Sequence, residues 1–394
     1  MKNTNIQKPA KNDKISIIVL IAAAAVFIVA LFFIYSGDIL KGEEEIFNVY
    51  GDEQVDFEKA TVTDILSSEM ELDETAENSY SGSQDLEVII KSGIYKGETA
   101  QAENYFGPLS GRPVEIGDGV TLIIKTYSDG SYNATVFEYN RIPFLAFFIL
   151  LFFIITAVIG GRTGLKSLIG LAFTVLCLFT VLIPLLLKGA PTVITTFAVC
   201  AYIAFVCFTI LGGVRRKTMA AFLGTASGAF FAMVFGSIAQ FFARVDGYGF
   251  EEAEPLLQMK YMGNEIGIRG LLTASIIICA LGAVMDVSMS ISSALEEIHT
   301  VNPSLGRREL FRSGMNIGRD MVGTMTNTLI LAFLGSEFIL IIFMYSRGLA
   351  FYRLFSTPFV SLETISGISS SIGMILAIPL TAFISSLLIS KKIK

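Results

Sequence analysis

The sequence predicts an all-α polytopic membrane bundle of about eight helices, with a small extracytoplasmic β-domain inserted between helices one and two. Three observations carry this. Of 394 residues, 53% are hydrophobic and 16% charged, and the mean hydropathy of +0.64 is too high for a soluble domain of this length. The apolar residues fall in blocks near the ~20 residues that cross ~30 Å of hydrocarbon. Between the first two blocks lies a long polar stretch that alternates apolar and polar residues.

The blocks are read at about 15–35, 143–160, 166–187, 190–212, 218–242, 268–294, 321–346 and 367–389. The first follows a basic tail, residues 1–14. Its apolar core, Ile17 to Ile34, is longer than a signal-peptide h-region, and Tyr35-Ser-Gly-Asp38 is a poor cleavage site. A retained signal-anchor helix is therefore expected.

Residues 36–84 read as an acidic linker, with Glu43-Glu-Glu45 and the Glu69–Glu77 cluster. Residues 85–141 read as the β-domain. Asp85-Leu-Glu-Val-Ile-Ile-Lys91 leads to Ser92-Gly93, and Val120-Thr-Leu-Ile-Ile-Lys-Thr-Tyr127 leads to Ser128-Asp-Gly130. Asp-Gly between two alternating runs is a hairpin signal. An OB-like barrel or sandwich of five or so strands fits. This outer segment, residues 36–141, holds 22 Asp and Glu against 7 Lys and Arg, which excludes nucleic-acid binding.

Residues 142–390 form the remaining seven-helix bundle, and 391–394 a second basic tail. Alternating the spans from a cytoplasmic N-terminus places 16 of the 29 basic residues in short cytoplasmic segments. These include Arg162 and Lys166, Arg215 to Lys217, and Arg307, Arg308, Arg312 and Arg319. The positive-inside rule then puts both termini in the cytoplasm. Between helices six and seven, residues of about 303–319 read as a short amphipathic helix on the cytoplasmic surface, after Asn302-Pro303-Ser304. Gly224 and Gly228 give helix five a small-xxx-small face, and Pro379 is expected to kink helix eight.

Cys177, Cys200, Cys207 and Cys279 all fall in predicted spans, and the single histidine, His299, follows the last turn of helix six. No CxxC or Cys/His spacing is present, so neither a metal nor a cofactor is expected. An intramembrane enzyme is not expected either. Asp286 is the one deep acid, Glu337 lies too far along helix seven to pair with it, and His299 is outside the bilayer.

The candidate functional residues lie on helices six and seven. Asp286, Ser290, Ser293 and Glu297 share one helical stripe. Asn316, Asp320 and Asn327 form a second, with Thr324 and Thr328 beside them. Such stripes are expected to meet and hydrogen-bond in the bundle interior, because lipid offers no partners. Ser, Thr and Asn also serve as packing contacts. Asp286 differs, since no Lys or Arg lies at its depth in a predicted span. Desolvation without a partner favours the neutral acid, the chemistry a proton carrier needs, and intramembrane carboxylates mark transport paths. Asp286, Ser290, Asn316, Asp320, Thr324 and Asn327 are thus the transport candidates.

The stretches Gly282-Ala-Val-Met-Asp-Val-Ser-Met-Ser-Ile-Ser-Ser-Ala-Leu-Glu-Glu-Ile298, Glu309-Leu-Phe-Arg-Ser-Gly-Met-Asn-Ile-Gly-Arg-Asp320, Gly323-Thr-Met-Thr-Asn-Thr-Leu-Ile-Leu-Ala-Phe-Leu-Gly335 and Leu376-Ala-Ile-Pro-Leu-Thr-Ala382 resemble the YibE/F-like family of bacterial membrane proteins. The resemblance covers about residues 85–390. It implies a bacterial cytoplasmic-membrane protein and carries over no established activity. In layout alone the chain is also similar to RND-type and Sec-accessory half-subunits, from which it departs by two extra spans and a smaller outer domain.

Two readings of function follow. One is a transporter or permease, proton-coupled through Asp286. The other is a membrane scaffold or partner subunit acting through its β-domain. The expected partners are the lipid bilayer and either a transported solute or a partner protein, with a second copy or a paralogous membrane subunit among the candidates.

Overall fold

A computed structural model of the chain describes residues 11–35, 54–73, 76, 79–127, 131–248, 253–261, 267–348, 353 and 355–390. Lys2, Lys8, Glu43 to Glu45, the Asp129-Gly130 turn and the C-terminal lysines lie outside the described residues. The chain forms two compact units, Lys41–Ile155 and Met1–Leu40 with Thr156–Lys394.

The first unit is a closed five-stranded barrel. Its strands are β1 (Gln54–Leu72), β2 (Tyr80–Ile90), β3 (Thr99–Phe106), β4 (Gly119–Thr126) and β5 (Tyr132–Tyr139). They run in the order β1-β2-β3-β5-β4, antiparallel except for the β3–β5 pair. That connectivity is the OB-type barrel. Closure depends on β1, whose first part pairs with β4 and whose second part pairs with β2. Register shifts between Val62 and Ser67 mark where β1 bends. Alternate residues fill the interior: Leu86, Val88 and Ile90 from β2, and Val120, Leu122 and Ile124 from β4. The turn expected at Asp129-Gly130 is flanked by strands that pair antiparallel, Thr126 opposite Tyr132.

One boundary needs correction. The segment expected as an acidic linker, residues 36–84, contains all of β1 and the start of β2. Among the described side chains of β1, only Ala60 and Val62 are buried. Two small side chains leave almost no apolar alternation to read among the acids.

The helices, in order, are α1 (Lys11–Tyr35), α2 (Ile142–Cys177), a π-helical turn Leu178–Leu182, α3 (Ile183–Leu187), α4 (Thr192–Gly212), α5 (Arg216–Ala243), α6 (Ala253–Tyr261), α7 (Ile268–Val301), α8 (Arg307–Ser336), α9 (Phe338–Ser346) and α10 (Pro358–Ile389). Among the described residues, five helical stretches are long and apolar enough to cross a membrane, or six if α8 and α9, bent by 60°, form one span. The stretch Ile142–Leu187 counts as one of the five at 46 residues, roughly 69 Å if straight. It is interrupted at Gly161, whose φ of 53° and ψ of −135° suit only glycine. This break falls between the two spans read at 143–160 and 166–187. In α1 the apolar stretch is shorter, Ile18–Val29.

The amphipathic helix expected at about 303–319 is not a separate element; it is the first half of α8. Leu310, Gly314 and Gly318 are buried along one side of it, so the packing face runs on without a break. The span read as 321–346 is instead the one that bends, after Gly335-Ser336, a pair of residue types that favours kinks. Helix α10 begins nine residues earlier than expected and runs through Pro379 as one element.

Glycine contacts fix the packing of the core. A Cβ on Gly224 would strike Thr381 and Ser288; on Gly228 it would strike Val284 and Ala377; on Gly236, Ile276. As α5 ascends in number, its partners on α7 and α10 descend, so α5 is antiparallel to both. Helices α7 and α10 are therefore parallel. Helix α8 repeats the arrangement from another side: Gly314 meets Leu295 and Ala382, and Gly318 meets Ile291 and Ile378. Helix α4 heads a second cluster with Cys200, Ile203, Cys207 and Phe208, and α1 is tied to it by the Tyr202 hydroxyl, which donates to the Ala23 carbonyl at 2.6 Å.

Candidate functional site

Helix α7 buries one face and presents the other outward. Val284, Val287, Ser288, Ile291, Ser292 and Leu295 are fully buried. The opposite face carries Ser275, Cys279, Gly282, Asp286 and Ser290, all exposed. Their spacing of three or four residues forms one stripe. A Cβ on Gly282 would meet nothing within 4 Å, so no other described part of the chain covers the stripe at that level. Asp286 has no ion-pair or hydrogen-bond partner among the described residues.

The second expected stripe is also present but turned away. Asn316, Asp320, Thr324 and Asn327 are exposed, while Leu310, Gly314 and Gly318 on the other side of α8 are buried against α7 and α10. The Thr324 hydroxyl donates to its own helix at the Met321 carbonyl, 3.1 Å away, and Thr328 donates to Thr324 at 2.9 Å. The expectation that the Asp286 and Asn327 stripes hydrogen-bond inside the bundle is therefore overturned. Each helix packs through the side opposite its polar stripe, and both stripes face outward.

The interior polar contacts are different residues. The Thr381 hydroxyl donates to Ser288 at 3.1 Å, Ser292 and Ser385 share a bond of 3.0 Å, and Thr273 donates to Gln240 at 3.2 Å. Between the first two pairs and the third stand Gly228, Val284 and Ala377 in direct contact. This apolar layer interrupts the polar column, which makes the seam a packing device and not a continuous path.

At the end of α7, Glu296 forms an ion pair with Lys217 at 2.5 Å. This places the start of α5 beside the end of α7, as the antiparallel register requires. The Nδ1 of His299 is buried without a hydrogen-bond partner among the described residues. Among the described residues no three His, Cys, Asp or Glu side chains are grouped to hold a metal ion.

The hydroxyl seam was not read from the sequence, although its signal was there: Ser288 and Ser292, like Thr381 and Ser385, stand four apart. Glu363 was also missed, a carboxylate six residues into α10. Its signal is the same as that of Asp286, an acid within an apolar run.

No curated protein and no solved structure gives a match to the chain. Residues 148–391 match the family described as YibE/F-like protein. This stretch begins after the barrel and covers more than half of the chain, so the protein belongs to the YibE/F-like family.

Proposed function

We propose that the chain is a multi-pass transport protein of the bacterial cytoplasmic membrane, with eight spans and both termini cytoplasmic, in which Asp286 carries a proton or a cationic solute. The observation that carries this reading is a carboxylate midway along a 34-residue apolar helix, without a partner among the described residues and flanked on its own face by small polar residues. Such an acid is expensive against acyl chains. The stripe therefore faces water or protein. Because the α8 stripe points away from it, the second wall of the path comes from outside the described chain, as a second copy or a paralogous membrane subunit. The Lys217–Glu296 pair supports the topology, since it joins two segments that the basic residues assign to the cytoplasmic side.

The test is substrate-accumulation profiling of a deletion strain complemented with wild type or Asp286→Asn. The expected result is loss of the wild-type profile at unchanged protein level. If both strains behave alike, Asp286 does not carry the transport step.

A second reading, a membrane scaffold or partner subunit acting through the barrel, is favoured by one observation. Phe57 and Phe137 form an edge-to-face pair at 5.2 Å on the barrel's outer surface, each 51% exposed. Exposed aromatic pairs of this kind are common anchors for partner proteins. On this reading, Phe57→Ser with Phe137→Ser is expected to abolish function, while Asp286→Asn leaves it intact.

A further inference from the structure

A cavity of about 430 Å³ opens between α10 and the α8–α9 bend. Its wall is apolar except for two carboxylates, Glu337 at the bend and Glu363 on α10, and the Thr364 hydroxyl. Thr364 is already engaged, donating to the Val360 carbonyl at 2.7 Å. Phe333 and Phe355 contribute aromatic surface, and Gly367 lets α10 approach Phe333 closely, with room for a Cβ only at 3.1 Å. Both glutamates are half-buried, and neither has an ion-pair or side-chain hydrogen-bond partner among the described residues.

Two unpaired carboxylates facing one apolar chamber call for positive charge, because desolvated like charges repel and each lacks a counterion. The wall decides what kind of cation. A hard metal ion takes six or more oxygens, and this chamber offers two carboxylates and one occupied hydroxyl. An organic cation asks for the opposite: one or two anionic groups, aromatic faces within about 6 Å of the charge, and apolar surface for its body. A chamber of this volume lies in the range that holds a small organic ligand.

We propose that the cavity framed by Glu337, Glu363, Phe333 and Phe355 binds a lipophilic organic cation. The proposal does not depend on the role given to Asp286.

The experiment measures binding of tetraphenylphosphonium to the purified full-length protein in zwitterionic nanodiscs, by equilibrium dialysis. Uncharged triphenylphosphine oxide serves as competitor. Saturable binding of the cation is expected, with at least a tenfold weaker competition by the neutral compound. Glu337→Gln combined with Glu363→Gln is expected to weaken binding at least tenfold, and Gly367→Leu, which fills the chamber, to abolish it. Each variant is accepted only with a wild-type elution profile. The charged-against-neutral comparison in the wild type decides the question even if no variant folds. Equal competition by the neutral compound overturns the proposal, since the chamber would then be a lipid-chain pocket. Absence of saturable cation binding, or equal affinity in a folded double variant, overturns it as well.

Discussion

Ser288 and Thr381 are hydrogen-bonded across the α7–α10 contact at 3.1 Å, and one turn further Ser292 and Ser385 meet at 3.0 Å. Two bonds with the same offset make the helices parallel at a fixed register, without a single charged group. Within a membrane bundle such pairs are worth on the order of 0.6 kcal/mol. A double-mutant cycle of Ser292→Ala and Ser385→Ala, read by thermal melting in detergent, is expected to give a coupling of that size. A coupling indistinguishable from zero removes the bond as a register device.

Glycine separates packing from exposure on two neighbouring helices. A Cβ on Gly228 would sit 2.6 Å from Val284 and 2.7 Å from Ala377, so Gly228→Ala forces α5 away from both partners. Overpacking of this kind costs about 1–3 kcal/mol. At Gly282 nothing lies within 4 Å, and Gly282→Ala gains up to about 1 kcal/mol from helix propensity alone. Melting temperatures of the two variants should move in opposite directions. A fall for Gly282→Ala as large as that for Gly228→Ala shows that the stripe is covered.

How far the sequence could be read follows from what periodicity contains. It finds which residues share a stripe, and the Asp286 and Asn316 stripes both exist. It does not contain the direction a stripe faces. That direction was set by Gly314 and Gly318, which draw the opposite side of α8 onto Ile378 and Ala382. The helix break at Gly161 was legible from the charge of Arg162 beside it. Strand β1 was not, because it buries the small Ala60 and Val62 while its larger apolar residues Phe57, Leu66 and Met70 face outward.

The barrel interior contains one polar knot. Asn104 donates to Gln84 at 3.1 Å and to the Arg112 carbonyl at 3.0 Å, while Gln84 accepts from Val114 N–H at 2.9 Å. Both side chains are buried, at 1% and 3% exposure. Asn104→Ala leaves the Arg112 carbonyl and part of Gln84 without partners, which costs about 1–3 kcal/mol. Limited proteolysis of the full chain should then cut within residues 80–139 faster than in wild type. Unchanged cleavage means water replaces the amide at no cost.

Tyr105 donates to the Glu103 carboxylate at 2.8 Å, and this bond, with the negative charge behind it, holds the phenol above its usual value of 10.0. A raised value means the neutral phenol is favoured in the fold. Any stability it adds is present below pH 10 and is lost as pH rises through the folded value. Ultraviolet titration of wild type minus Tyr105→Phe should show late ionisation, and Glu103→Gln should bring it earlier. Identical curves mean the bond does not persist in solution.

Cys279 offers a direct reading of what the Asp286 stripe faces. It lies seven residues before Asp286, about 10.5 Å along the same face, and it is exposed, whereas Cys177, Cys200 and Cys207 are buried. Maleimides react with the thiolate, which persists only where water reaches the sulfur. In intact membranes N-ethylmaleimide is therefore expected to modify the wild type once per chain and Cys279→Ser not at all. Labelling that appears only after detergent extraction would mean that lipid or a partner seals the stripe in the membrane. In that case Asp286 lines no aqueous path, and the carboxylate is held by a contact made outside the chain.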